Sequence, residues 1–581
     1  MSAIAGYVGP ADPSVLDRML EAISYRGDRS DTAHLRDAGI GYRFWSGRPG
    51  KAQQVYRQGN LLAAVSGSFA PRVDSPAAEL CSLLDDPERL KTIDGNFTGV
   101  CWEGDQKRLR FLRDPFGVRT IYYVEHAGVF YFASELKQLL AIPGLPIEAD
   151  PVAIHKYLTF SFVPGESVPI RGIKRLLPGR VAAWADGKLT ITPYFTLHEQ
   201  IDQRYADRLE AIRLVRRLTR EAVAKRLNGE SEVGLFLSGG LDSSGVGVWL
   251  KRAGVNVRAF SLDFGKQSVE KEQAKTVADK LGMPLQYVPV GGADLSPILM
   301  DLVWKLDLPF GDAVTGPQYL LAKAAREADL SAVFNGEGGD QLFGGWTSKP
   351  MISAQLYAGL YGPDTREEMY LHSYHRFYGL EDKLYSPEFL KQIGSPGQRR
   401  ALLTPYLHSS EATTFLNRIR LADISLKGSQ NILPRMDRTS QCWGLDVRTP
   451  LFDRALAEAS FTLPPQMKLH GACEKYVLKL SLQKFLPREI VWRRKFGMSV
   501  PITDWTLGPL AAQFEDLLGA PALAKRGYFR HEYVDQLRHG HDIASETRRR
   551  RLGERLWTLA MLEAWLRIFV DGKGKAPGGR S

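Results

Sequence analysis

Ser238-Gly239-Gly240-Leu241-Asp242-Ser243-Ser244-Gly245 follows a short apolar run, Val233–Leu237, and leads into helix-compatible sequence, Val246–Arg252. Residues of these types at this spacing make an anion cradle. Glycines let the backbone come close, hydroxyls donate, and a new helix offers free N–H groups and the positive end of its dipole. The segment is not the loop G-x-x-x-x-G-K-[ST], because no lysine stands at the phosphate position. A carboxylate in such a loop, Asp242, makes sense only if a metal ion bridges it to phosphates. A plain Gly/Ser turn would explain the serines and glycines but not that carboxylate. A second segment, Asn335-Gly336-Glu337-Gly338-Gly339-Asp340-Gln341-Leu342-Phe343-Gly344-Gly345, follows another apolar run, Ala332–Phe334. Its Asp340 can complete a magnesium site facing Asp242, and Glu337 then stands near the reacting centre as a general base or an orienting carboxylate.

For the two loops to meet, they must leave the same edge of one sheet. The runs Val233–Leu237, Val257–Leu262, Leu285–Val290 and Ala332–Phe334 read as strands, with helical sequence between them. Ala274, Val277, Ala278 and Leu281 fall at i, i+3, i+4 and i+7, and Gly282 follows as a stop. Such alternation predicts a doubly wound parallel sheet, whose ligands bind beyond the carboxyl ends of its strands. The first 200 residues differ. Ala3–Val8, Leu61–Ser66, Phe97–Trp102, Leu109–Arg113, Ile121–Val124 and Val129–Ala133 are short β-rich runs punctuated by turns such as Asp94-Gly95-Asn96 and Ala185-Asp186-Gly187. They predict an antiparallel, sandwich-like domain ending near residue 200, where the polar stretch Glu199–Arg213 begins. Beyond Gly345 the chain reads as mainly helical to about residue 570, with a basic, Gly-rich and flexible tail over 571–581. The aromatics between Tyr357 and Phe389 read first as packing residues.

Composition narrows the classes. The 581 residues are 44% hydrophobic and 24% charged, an ordinary globular mixture. No apolar run approaches the ~20 residues of a membrane span, and the N-terminus has no signal-type core. The four cysteines include no C-x-x-C pair, so neither a disulfide framework nor a zinc site is expected. The formal charge of +11 is diffuse apart from Arg548–Arg551, and no stacking aromatics interleave with it, which argues against nucleic acid. A cytoplasmic enzyme is expected.

The two Gly-rich loops resemble the nucleotide-site motifs of the asparagine synthetase family, whose synthetase half is an ATP-pyrophosphatase domain. Trp443-Gly444-Leu445-Asp446-Val447-Arg448-Thr449-Pro450-Leu451-Phe452-Asp453 is similar to that family's W-G-x-E-x-R-x-P-F-L-D segment, and Glu474-Lys475-Tyr476-Val477-Leu478-Lys479 to its E-K-x-x-L-R helix. Leu486-Pro487 with Arg494-Lys495-Phe496-Gly497 resembles L-P…R-x-K. The resemblance implies ATP and Mg2+ as cofactors, with Phe236, Ser238, Gly239, Gly240, Asp242, Ser243, Ser244, Leu262, Asn335 and Gly336 around ATP. It implies Asp242 and Asp340 on the metal, and Glu337 and Lys495 as catalytic residues, Lys495 contacting the phosphates. The long separation of Asp340 from Lys495 suggests a helical insertion at about 346–416 in a synthetase-like domain spanning 201–570.

Residues 1–200 look like the family's class-II glutamine amidotransferase domain, of the Ntn-hydrolase type, through Ala3–Gly6, Tyr25-Arg26-Gly27-Asp28, Arg113–Arg119 and Phe132–Lys137. In that domain the nucleophile is a cysteine exposed by loss of Met1; here the position is Ser2, a far weaker nucleophile at neutral pH. The glutamine-binding N-G-E is also absent, since the matching stretch reads Val65-Ser66-Gly67-Ser68-Phe69. A retained fold without glutaminase activity is expected. Ligation then needs another amine. Among branches of the family that lack the cysteine, β-lactam synthetases carry a tyrosine where this chain has Glu337. The favoured resemblance is to lasso-peptide cyclases, which join a peptide's N-terminal amine to an Asp or Glu side chain. A peptide substrate is expected, with a leader peptidase and a leader-binding protein as partners and no membrane or nucleic acid. The alternative is an asparagine synthetase using free ammonia, or a β-lactam synthetase.

Overall fold

The computed structural model describes residues 2–46, 55–345, 351–352, 365–394, 397–493, 499–540 and 545–578. Its first half is built on two six-stranded antiparallel sheets. One runs in the order Lys174–Arg175, Tyr122–His126, Val129–Ala133, Ser2–Val8, Ala38–Phe44, Arg29–Leu35; the other runs Lys188–Pro193, Arg180–Ala185, Arg108–Arg113, Gly95–Glu103, Leu61–Phe69, Tyr56–Gln58. Alternation along each strand sorts the side chains. Ile4 and Val8 point between the sheets with Ile40, Tyr42, Leu62, Val100, Phe111 and Phe132. Ala5 and Tyr7 point outward, where Leu16 and Met19 of the helix Ser14–Glu21 share their core. On the other sheet, Ala63, Val65 and Cys101 face Ala77 and Leu80 of the helix Pro76–Leu84. The result is a sandwich with a helical layer outside each sheet, in line with the antiparallel sandwich read from the sequence.

The second half holds a five-stranded parallel sheet made of β1 (Glu232–Phe236), β2 (Asn256–Asp263), β3 (Leu285–Pro289), β4 (Ala332–Phe334) and β5 (Asp446–Arg448), in the order β3-β2-β1-β4-β5. Its neighbours include α1 (Leu241–Arg252), α2 (Lys271–Leu281) and α3 (Thr315–Glu327). Both faces are covered. Val233, Leu235, Val257, Ala259 and Phe334 share a core with Val246 and Leu250 of α1 and Val277 of α2. Phe236, Phe260, Val288 and Val333, one residue out of phase, share another with Ala322 and Ala325 of α3. This is why the strands read as continuous apolar runs rather than alternating ones. The chain order reverses between β1 and β4, so the crevice for a ligand opens there. Strand β5 carries only one apolar residue, Val447, and gives no periodic signal.

Beyond β4 the described residues are mainly helical. A wide-turned stretch, Asp423–Ile432, runs into α4 (Leu433–Gln441); α5 (Tyr476–Leu482) and the long α6 (Glu546–Leu566) come after it. Tyr370, Phe377, Tyr385 and Phe389 are buried in the core, as their helical spacing predicts, while Tyr357 and Tyr361 lie outside the described residues, with part of the expected 346–416 insertion. Among the described residues, no helix is long and apolar enough to cross a membrane.

A buried ion cluster ties the sandwich to the second half of the chain. Arg226, which is 4% exposed, donates to Asp453 Oδ2 at 2.6 Å and to Asp94 Oδ2 at 3.2 Å, and Lys225 Nζ lies 2.7 Å from Asp94. Burial raises the Asp94 pKa, but Arg226 and Lys225 outweigh it and hold the carboxyl below the usual range. A depressed folded-state pKa stabilises above the ordinary carboxylate value and loses that contribution as the pH falls below it. Arg226→Met leaves two buried carboxylates short of a cation and is expected to cost about 3–5 kcal/mol of unfolding free energy. Denaturant titration checks this; a loss under about 1 kcal/mol, the range of an exposed pair, would contradict it.

Candidate functional site

The turn after β1 can form only with glycine at 239. Gly239 has φ +71°, and a Cβ there would lie 2.4 Å from the backbone nitrogen of Ala274 on α2. The turn is stitched by its own serines: Ser243 Oγ accepts from Ser238 N at 3.3 Å, and Ser238 Oγ accepts from Gly240 N at 3.2 Å. Helix α1 then starts with no side-chain cap on Gly240, which leaves its first N–H groups to a ligand. The loop after β4 packs directly against this turn. A Cβ on Gly339 would stand 2.1 Å from Asp242 Oδ1, so glycine is what lets the second loop bring Asp340 beside Asp242.

Lys475 joins the two carboxylates. Its Nζ lies 2.5 Å from Asp242 Oδ2 and 2.8 Å from Asp340 Oδ1. The side chain is 4% exposed, and the residue adopts φ +52° at the start of α5, a conformation that costs energy outside glycine. Burial works against the ammonium, but Asp242 and Asp340 outweigh it and push the Lys475 pKa up, so the lysine stays charged.

Around this triad is a cavity of about 230 Å³. Phe236, Ser238, Gly240, Asp242, Ser243, Leu262, Asn335, Gly336, Glu337 and Asp340, all singled out in the sequence, border it. Gly239 and Ser244 do not; Ser244 is fully buried behind the wall. Lys495 lies outside the described residues, whereas Arg493 reaches the wall and pairs with Glu270 at 3.1 Å. Lys475, Lys479, Gln318 and Met436 also border the cavity and carried no assigned role in the sequence. For Lys475 the signal was present in the E-K-x-x-L-K segment, but nothing in a linear reading says that this helix start returns to β1.

The residues present suit a magnesium ion bound with nucleotide phosphates. Asp242 Oδ1 is buried with no hydrogen-bond partner among the described residues, and Asp340 faces the same point through Lys475. Magnesium takes one or two carboxylates and completes its shell with phosphates and water, a demand that two aspartates meet.

The sandwich half presents a different site. Ser2 is 1% exposed on its strand, with Oγ 3.4 Å from Ser66 Oγ. Ser66 Oγ donates to Ser2 O at 2.6 Å, and Arg26 Nη2 donates to the same carbonyl at 3.2 Å while also pairing with Glu135. The hydroxyl of Ser2 thus meets Ser66, from the stretch that lacks N-G-E.

Comparison with known proteins finds matches in both halves of the chain. The family model described as asparagine synthase matches residues 214–567, and one described as glutamine amidotransferase domain matches 85–195. The asparagine synthetase [glutamine-hydrolyzing] 1 of Bacillus subtilis (strain 168) is 26% identical over 511 residues, covering 83% of this chain and 79% of that protein. Asparagine synthetase [glutamine-hydrolyzing] 3 of the same organism is 26% identical over 424 residues, covering 69% and 67%. Amidase chyE of Penicillium rubens is 24% identical over 509 residues, covering 76% and 74%.

Proposed function

The chain belongs to the asparagine synthase family, and from that premise we propose that it closes a macrolactam in a lasso peptide, joining the peptide's N-terminal amine to one of its Asp or Glu side chains. Its general chemistry is that of an ATP-dependent carbon–nitrogen ligase, which forms AMP and pyrophosphate. The acceptor carboxylate attacks the α-phosphorus of ATP, and the bond to pyrophosphate breaks. The amine then attacks the activated carbonyl; the C–N bond forms, the C–O bond to AMP breaks, and the amine loses a proton. In this reading Glu337, on the cavity wall, receives that proton. The turn at Ser238–Ser244 and the free N–H groups of α1 hold the phosphates, and Lys475 keeps Asp242 and Asp340 together. Magnesium, when bound to these two carboxylates, supplies neutralisation of the phosphate charge. Lys495 adds charge on the leaving pyrophosphate. Drawing on ATP, the reaction would run in the cytoplasm, with a leader peptidase and a leader-binding protein preparing the peptide.

The observation that carries the choice of amine is Ser2. The Bacillus relatives are named for hydrolysing glutamine, whereas this chain has a buried hydroxyl at the nucleophile position, against Ser66. Three outcomes are expected. Incubation with glutamine releases no glutamate above background, and Ser2→Ala changes amide formation by less than two-fold. Ser2→Cys alone restores no glutaminase, because N-G-E is missing as well. Loss of ligation in Ser2→Ala would show that the sandwich half takes part in catalysis.

The substrate is tested with purified enzyme, ATP, magnesium and a linear core peptide with a free N-terminus. The expected product is lighter by one water, and an Asp-to-Asn change at the acceptor abolishes it, since an amide is not adenylated. Efficient asparagine formation from ammonia and aspartate, with no peptide dehydration, would instead establish an ammonia-dependent asparagine synthetase.

A further inference from the structure

In the sandwich half, the helix Pro76–Leu84 packs on the strands Leu61–Phe69 and Gly95–Glu103, and two contacts fix its seat there. Leu80 sits over Gly99, where a Cβ would stand 2.7 Å from Leu80 Cδ2, so glycine lets the helix settle onto the strand. At the far end Arg110 clamps the last turn. Its Nη1 donates to Leu84 O at 2.5 Å, and its Nη2 donates to Asp85 Oδ1 at 2.7 Å. Arg110 is the cross-strand partner of Cys101. One residue past Leu80, Cys81 therefore meets Cys101, with the two Sγ atoms 3.4 Å apart. No C-x-x-C pair announces them, because 20 positions separate them in the chain.

The two thiols are not equivalent. Cys101 is fully buried, whereas Cys81, on the outer helix, is half-buried. Cys81 Sγ donates to Ala77 O, one helical turn back, at 3.3 Å. The hydrogen between the sulfurs then comes from Cys101, which makes Cys81 the acceptor. That bond holds the Cys81 pKa below the usual thiol range, helped by Arg110 and opposed by burial, Glu103 and Asp85. The same bond, with burial, pushes Cys101 up. A half-buried thiol that ionises easily, beside a second thiol, is the arrangement of a reactive cysteine with its resolving partner. Cys442 and Cys473 bond instead to the carbonyls of Thr439 and Glu474.

We propose that Cys81 and Cys101 form a reversible dithiol–disulfide site, oxidised by hydrogen peroxide, which staples the helix Pro76–Leu84 to the sheet. The Cys81 thiolate attacks a peroxide oxygen; the O–O bond breaks, Cys81 becomes a sulfenic acid, and hydroxide leaves and takes up the proton that Cys81 released. The Cys101 sulfur then attacks the Cys81 sulfur; the S–S bond forms, the S–O bond breaks, and the hydroxide leaves with the Cys101 proton as a second water. Two thiols lose two electrons and two protons, and one peroxide becomes two waters. A disulfide holds its sulfurs about 2.05 Å apart, so they must close by about 1.4 Å, while Leu80 and Arg110 keep the helix seated. The bridge closes a loop of 20 positions and so restricts the unfolded chain. In a reducing compartment the pair rests as two thiols, and the link forms only under oxidant. Neither cysteine borders the nucleotide cavity, so the site is independent of the amide-forming reaction.

The test treats the reduced full chain with a slight excess of hydrogen peroxide, blocks the remaining thiols by alkylation, and maps the peptides by mass spectrometry. The expected product is a peptide pair joined through Cys81 and Cys101, two hydrogens lighter than its separate parts, with Cys442 and Cys473 alkylated. Dithiothreitol should restore all four free thiols. The oxidised protein should melt several degrees above the reduced one and return with dithiothreitol. Cys81→Ser should abolish the link and the shift. Cys101→Ser removes the resolving thiol, so Cys81 should run on to the sulfinic acid, two oxygens heavier; if that buried substitution does not fold, Cys101→Ala gives the same readout. Absence of the linked pair in the wild type, a link found only between chains, or oxidation of Cys442 or Cys473 ahead of Cys81 overturns the site. A linked pair with an unchanged or lower melting temperature overturns the staple.

Discussion

Lys475→Met will lower ATP–pyrophosphate exchange at least a hundred-fold. Lys475 touches both Asp242 and Asp340. Without its ammonium the two part-buried carboxylates, both within 2.8 Å of the same nitrogen, are left facing each other with no cation between them. Removing one partner of a buried ionic group leaves the others uncompensated, which is worth about 3–5 kcal/mol; a preorganised charge at a reacting phosphate is worth about 3–4 kcal/mol in rate. The two effects separate experimentally. The stability loss should be partly reversed by added magnesium, which can neutralise the same carboxylates, while the rate should not recover. Lys475→Arg keeps the charge but places a planar fork where a compact ammonium bridges two oxygens, so it should recover stability better than rate. Exchange within five-fold of wild type in Lys475→Met would show that the lysine is only a strut for α5.

Asp242→Asn comes next in size. Asparagine keeps the shape of the side chain and can still accept from Lys475, so the fold and the melting temperature should change little. What it loses is an anionic oxygen, the buried Oδ1 that has no partner among the described residues. The apparent magnesium affinity in ATP turnover should fall at least ten-fold and the maximal rate about a hundred-fold or more, in line with the loss of charge stabilisation at a transferring phosphoryl group. Product analysis belongs with this variant. AMP and pyrophosphate remain the products of its residual activity; ADP and inorganic phosphate from the wild-type enzyme would refute activation through an adenylate. An unchanged magnesium dependence would remove Asp242 from the metal site.

Much of this was legible in the chain itself, because the deciding signals are local. The strands β1 to β4 are short apolar runs closed by turns, and α2 is an apolar stripe stopped by Gly282, whose φ of +60° only glycine adopts freely. The two loops declare themselves by composition: glycines where backbones must touch, serines that stitch a turn, and carboxylates that an anion site would otherwise exclude. Ser2 and the missing N-G-E are single-position facts that need no structure. The buried aromatics of the helical part likewise agree with their spacing.

Other features depend on residues that meet only when distant segments fold together. Strand β5 is three residues, Asp-Val-Arg, whose pairing to β4 depends on a neighbour more than a hundred positions away in the chain. Lys475 belongs to a helix start with nothing local to mark it as the bridge between Asp242 and Asp340; its charge matters because the low-dielectric wall and two opposing carboxylates surround it. Arg226 is an ordinary basic residue until Asp94 and Asp453 converge on it. Propensity and turn chemistry act over a few residues and are written in the sequence. Electrostatic pairing acts over a few ångströms, and for these groups only the tertiary structure decides which charges come that close.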